Sequence, residues 1–120
     1  MSNEIQVSAG LTVNKGGAGI ALASSSNLNM TGANIAGVTQ SIATTATTLT
    51  LPGITGTPQA IYIKNLDAVN YVEIDSSNTF NAFPQKLPAG CAIILYPETA
   101  TIYLKAHTAG VQVLVGASEP

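Results

Sequence analysis

The chain has 120 residues, a formal net charge of −2 and a pI near 5.0, with 46% hydrophobic and only 8% charged residues, where an ordinary soluble domain carries roughly 25% charge. Its four lysines are scattered and it has no arginine, so the usual reader of phosphates and guanine edges is missing and nucleic acid is not an expected partner. A single cysteine excludes an intrachain disulfide framework and a cysteine-rich zinc site.

Met1-Ser2-Asn3-Glu4 leads into alternating residues and not into an apolar core, so no secretion signal is expected. The longest apolar run, Ala89 to Tyr96, falls far short of the roughly 18 residues of a membrane span. The expectation is a soluble chain synthesised in the cytoplasm.

Ile5, Val7, Ala9, Leu11 and Val13 alternate with polar or small residues, which predicts a half-buried strand over residues 4–13. Asn14-Lys15-Gly16-Gly17 supplies the positive φ of a hairpin turn, and residues 19–30 answer with Ile20, Leu22, Leu28 and Met30 in one phase. Ser24, Ser25 and Ser26 leave little core in its middle. A ribbon of this kind is barely stable alone and must lie against something, so residues 1–33 are expected to form an N-terminal β-ribbon arm. Residues 31–34 read as a turn and boundary, and residues 34–120 as the body.

Within the body, residues 37–51 are dense in threonine, with Val38, Gln40 and Ile42 alternating before Thr47, Leu49 and Leu51. Threonine favours strands and solvates a surface without charge. Pro52-Gly53 to Pro58 reads as a loop. Strands follow at 60–66, 70–75, 91–96, 100–106 and 111–116, punctuated by Pro84, Pro88-Ala89-Gly90 and Pro97. No stretch holds apolar residues at helical spacing. The predicted fold class is all-β, an antiparallel β-sandwich or jelly-roll-like domain with an N-terminal hairpin arm.

No catalytic constellation emerges. Asp67, Glu73 and Asp75 are close enough in sequence to suggest oxygen ligands for calcium. The calcium-loop spacing is absent, however, and the favoured reading has Asp67 and Asn70 in a turn and Glu73 facing outward on a strand. His107, the sole histidine, follows a strand with no orienting carboxylate or nucleophile in view. Cys91, at the head of the apolar stretch Ala92-Ile93-Ile94-Leu95, is expected to be a small buried hydrophobe. Asn14 to Gly19 is glycine-rich, but serine-rich strand follows it where a phosphate loop would open a helix. Asn29-Met30-Thr31 fits a glycosylation acceptor, which has no meaning without secretion. Sugar binding leans on aromatic platforms, and with no tryptophan the residues Tyr62, Tyr71, Tyr96 and Tyr103 are placed at strand edges with hydroxyls outward. The expectation is therefore no enzyme, with no catalytic, cofactor-binding or metal-binding residues and no cofactor.

Tyr62-Ile63-Lys64-Asn65-Leu66-Asp67 and Asn70-Tyr71-Val72-Glu73-Ile74 resemble a segment of small β-rich virion proteins of tailed bacteriophages. Lys86-Leu87-Pro88-Ala89-Gly90 and Ile102-Tyr103-Leu104-Lys105-Ala106-His107-Thr108 continue that resemblance in the same order, closing with the Val111 to Val115 strand. Val13-Asn14-Lys15-Gly16-Gly17 and Asn29-Met30-Thr31-Gly32 are similar too, so the likeness spans most of the chain. It implies a structural protein of the particle, of the head decoration (cement) type. Such a protein would sit on the capsid surface as a homo-oligomer, a trimer for preference, and clamp the major capsid protein. A tail, neck or head-fibre component and a carbohydrate- or protein-binding module are the alternatives. The charge-poor exterior fits a surface meant to be covered, because exposed charge is what keeps monomers apart.

Overall fold

The computed structural model describes residues 4–30, 32 and 34–120. It is all-β, with ten strands and no helix among the described residues. The chain divides into two compact units, Met1–Thr31 and Gly32–Pro120.

The first unit is a hairpin of β1 (Ile5–Lys15) and β2 (Ala18–Leu28), turned by Gly16 and Gly17, both at positive φ. Antiparallel pairing from Ile5↔Leu28 to Lys15↔Ala18 sets Leu11 opposite Leu22 and Val13 opposite Ile20. The larger apolar side chains thus share one face near the tip. Gln6, Ser8, Gly10, Thr12 and Asn14 lie on the other face, opposite Asn27, Ser25, Ala23, Ala21 and Gly19.

The second unit contains β3 (Ile35–Ile42), β4 (Thr47–Thr48), β5 (Ile61–Asn65), β6 (Val72–Asp75), β7 (Gln85–Leu87), β8 (Ala92–Leu95), β9 (Tyr103–Ala106) and β10 (Val111–Ser118). They form two four-stranded antiparallel sheets, ordered β3-β10-β5-β8 and β4-β9-β6-β7. This order has a simple origin. The chain folds back once at residues 76–84, so that β6 pairs with β7, β5 with β8, β4 with β9 and β3 with β10. The long hairpin then rolls, which brings β10 beside β5 and β9 beside β6. The product is an eight-stranded jelly roll, the more specific of the two architectures expected.

Period-two alternation supplies the core. Ile61 and Ile63 of β5, Val111, Val113 and Val115 of β10, and Ile42 of β3 face Val72, Ile74, Leu87, Leu104 and Ala106 from the other sheet. Burying a side chain of this kind contributes about 1.5–3 kcal/mol. Gln40 adds a polar tie: its amide Nε2 donates to the Thr48 carbonyl (2.9 Å), and its Oε1 accepts from the Thr50 amide (3.0 Å).

The threonine-dense stretch 37–51 is divided between the sheets: β3 ends at Ile42, and β4 is a two-residue strand in the opposite sheet. Strand β7 was not anticipated, because Pro84 and Pro88 on either side of it resemble loop sequence.

Candidate functional site

Rolling the hairpin sends its loops to two ends of the jelly roll. Loops 43–46, 66–71, 88–91 and 107–110 gather at one end, and 49–60, 76–84 and 96–102 at the other.

The first end is organised by Asn65, which is fully buried. Its side-chain amide donates to the carbonyls of Asn70 (2.8 Å) and Leu87 (3.2 Å), and its Oδ1 accepts from the Asp67 amide (2.9 Å). Asp67 then accepts from the amides of Val69 and Asn70 at 2.9 and 2.6 Å. The Asn70 and Val69 amides hold its carboxyl below the ordinary 3.8, against a smaller opposing effect of burial. This is the turn expected for Asp67, with one partner that went unforeseen: Asn65 is the buried hub that fixes it.

His107 lies at the same end and is exposed. Its Nδ1 is 2.9 Å from the Tyr71 hydroxyl, the two rings stack with centroids 4.4 Å apart, and Lys86 Nζ lies 4.6 Å from the Tyr71 ring centre. Among the described residues, the contacts that fix the imidazole come from the Tyr71 phenol, with the Lys86 ammonium on that ring.

Cys91 also lies at this end, and here the expectation of burial fails: the thiol is exposed. Pro88 to Cys91 forms a turn with Gly90 at φ 75°, closed by the Cys91 amide donating to the Pro88 carbonyl. The apolar strand begins one residue later, at Ala92.

Asp75 belongs to the other end, at the close of β6, and is buried. Its carboxylate accepts from the amides of Ser76 (2.7 Å), Ala82 (3.0 Å) and Phe83 (3.1 Å), and so closes the fold-back loop on itself. Burial raises its pKa, but the amides of Phe83, Ser76, Ala82 and Ser77 outweigh that and hold it below 3.8. Within this loop Phe80 adopts φ 56°, rare for a bulky residue, with its ring buried and Lys105 Nζ 4.8 Å from its centre. Asp67 and Asp75 therefore occupy opposite ends of the domain, each committed to its own amides. Among the described residues no group of three or more His, Cys, Asp or Glu side chains could hold a metal ion.

Glu73 does face outward from β6, directly opposite both Lys86 of β7 and Lys105 of β9. These three charges cluster on the outer face of one sheet. The outer face of the other sheet carries Lys64 amid Thr39, Ser41, Gln112, Leu114, Gly116, Tyr62 and Ile94. Tyr62 lies beside Gly116, its Cβ 3.9 Å from where a Cβ on that glycine would stand. Tyr62 and Tyr103 sit on strands interior to their sheets, Tyr103 at the first residue of β9. Lys64 and the pair Lys86 and Lys105 lie on the outer faces of different sheets, so the lysines of the second unit form no common basic surface; Lys15 is at the ribbon tip.

A compositional signal lies behind this asymmetry: residues 16–63 contain no Asp, Glu, Lys or Arg. That window spans β2, β3, β4 and the first half of β5. Strands β3 and β4 are the edges on one flank of the jelly roll, one from each sheet. β3 is eight residues long, uncharged, free of proline and paired on one side only, with Ile35 74% exposed. Long uncharged edges of this kind are templates for association unless they are covered. The ribbon repeats the pattern, for Leu11, Val13, Ile20 and Leu22 are each 50–60% exposed on its apolar face. Compared with known proteins, the chain matches no family model and no curated sequence.

Proposed function

We propose that this protein is a structural component of a virus particle, a capsid decoration protein that binds the major capsid lattice as a homo-oligomer, most simply a trimer. One observation carries the reading: the ribbon presents Leu11, Val13, Ile20 and Leu22 to solvent on a single face, and an isolated two-stranded hairpin is at best marginally stable in water. A neighbouring subunit covers that face in the assembly. The charge-free flank at β3 and β4 offers a second surface to neighbours, where strand addition gives affinity through backbone hydrogen bonds. Many weak contacts on a repeating shell then act by avidity. Jelly rolls serve both capsid and lectin domains, so the fold is compatible with this role without selecting it. The protein works by covering and bracing, with no catalytic step.

Two measurements test the reading. Mass spectrometry of purified particles should find the chain in hundreds of copies; a handful would relocate it to tail, neck or fibre, and absence would end the virion reading. Light scattering on the isolated protein should give an oligomer, and Leu11→Ser with Leu22→Ser should shift it toward monomer. A strict monomer at high concentration, with no particle association, would refute the proposal.

A further inference from the structure

The fold-back end holds a cavity of about 510 Å³ between the two sheets, within the roughly 300–1,000 Å³ typical of small-molecule sites. Ile74, Leu95 and Ile102 supply its apolar lining, from β6, β8 and the strand approach to β9. Phe83 and Tyr96 also line it, and they are 76% and 60% exposed. Gln85, Glu98, Ser76 and Thr99 add an amide, a carboxylate and two hydroxyls. Asp75 touches the same cavity, but its oxygens are already occupied by the amides of the fold-back loop.

From this lining we infer that the cavity is a binding site for a neutral saccharide. Two aromatic side chains that remain largely in water, beside an apolar floor and several hydrogen-bonding groups, match a ligand with an apolar ring face and a hydroxylated rim. The lining contains no Lys, Arg or His and two carboxylates, which disfavours phosphates, sialic acids and uronic acids by like-charge repulsion. A peptide is the other ligand for a cleft between sheet edges, and β7 and β8 are those edges. They are poor templates for an added strand: β7 has three residues between Pro84 and Pro88, and β8 has four before Pro97. Recognition here rests on side chains, not on backbone pairing.

Sequence spacing alone does not reveal the site. Phe83 closes the fold-back loop, where the amide bonds to Asp75 fix its backbone, and Tyr96 follows β8 on the returning limb. Only the pairing of β5 with β8 and β6 with β7 brings both limbs to the same end. The site is independent of the proposed assembly role, since it uses neither the ribbon nor the β3 flank.

The test is a titration of the full chain, followed by two-dimensional amide NMR, with neutral methyl glycosides and N-acetylglucosamine, and with N-acetylneuraminic acid as the anionic control. At least one neutral sugar should shift amides of residues 76–85 and 95–102 saturably, with millimolar affinity. Phe83→Ala and Tyr96→Ala should each weaken that binding more than tenfold, and Glu98→Gln several-fold. All three side chains are exposed, so the variants should keep the native spectrum elsewhere. Val69→Ala, in the loop at the far end and 82% exposed, should bind as the parent does. The inference is overturned if no neutral sugar perturbs the cavity up to its solubility limit. It is equally overturned if the perturbation survives loss of both aromatic rings, or if the anionic sugar binds better.

Discussion

Replacing Asn65 with leucine, which has similar volume, separates the polar role of this side chain from its packing. The substitution removes two donors and one acceptor and orphans three backbone groups: the Leu87 carbonyl, the Asn70 carbonyl and the Asp67 amide. A buried unsatisfied group costs about 1–3 kcal/mol. The bond to Leu87 is buried, so that carbonyl bears the full cost, whereas the groups at Asn70 and Asp67 are half-buried and can recruit water. Allowing for the apolar atoms gained, the loss should be about 3 kcal/mol, a large share of the roughly 5–15 kcal/mol that stabilises a domain. For a domain near this size it corresponds to roughly 10–20 °C in melting temperature. Urea unfolding at pH 7 should show a lower midpoint with an unchanged slope. Asn65→Ala should cost more, because it leaves a cavity as well. If Asn65→Leu loses less than about 1 kcal/mol at unchanged slope, Asn65 is not the hub of this end of the fold.

Acid should destabilise the protein through Asp75 and Asp67. Both carboxyls have folded-state pKa values below 3.8, so their stabilisation is complete above that value and is lost as pH falls through the folded pKa. Thermal melts between pH 6 and pH 2 should show this acid limb, and Asp75→Asn should flatten it while lowering stability at neutral pH. Cys91 should react stoichiometrically with a thiol reagent in the native state, since it is exposed, and Cys91→Ser should change stability by no more than about 0.5 kcal/mol in urea. Gly116→Ala should stabilise by about 0.4–1 kcal/mol, because an added Cβ meets nothing closer than 3.9 Å and a strand glycine wastes conformational entropy; a lower urea midpoint would contradict that packing.

Much of the body could be read from alternation alone. Ile61 and Ile63, and Val111, Val113 and Val115, fall inside as their two-residue period requires. The ribbon and its glycine turn are equally legible. Pairing partners are not, because they depend on rolling: nothing local in β5 tells it to lie between β10 and β8. Flanking prolines hid β7, yet an edge strand tolerates them, and its three residues suffice to hold Leu87 in the core. Cys91 was misplaced by one residue of register, since a turn ends there before the apolar strand begins. Asn65 carries no signal in isolation, and its importance follows from three backbone groups that only the fold brings to it. The charge-free stretch from Gly16 to Ile63, by contrast, was present in the sequence from the start.

The same alternation leads to opposite outcomes in the two units, and that contrast bears on function. Ile63, Val113 and Val115 are 0% exposed because a second sheet closes over their face. Leu11 and Leu22 obey the same period, pair directly, and remain 56% and 60% exposed. Alternation specifies which face is apolar but not what covers it. In the jelly roll the cover is the chain's own second sheet, so its stability is intrinsic. In the ribbon the two strands exhaust the sheet, and further burial must come from another surface. The ribbon's apolar face would expose several kcal/mol of unrealised burial if it stayed in water, and β2, which supplies half of that face, carries no charge to oppose its association. Those two facts together make a covered state the lower in free energy at high local concentration, the condition that the proposed repeating shell would supply.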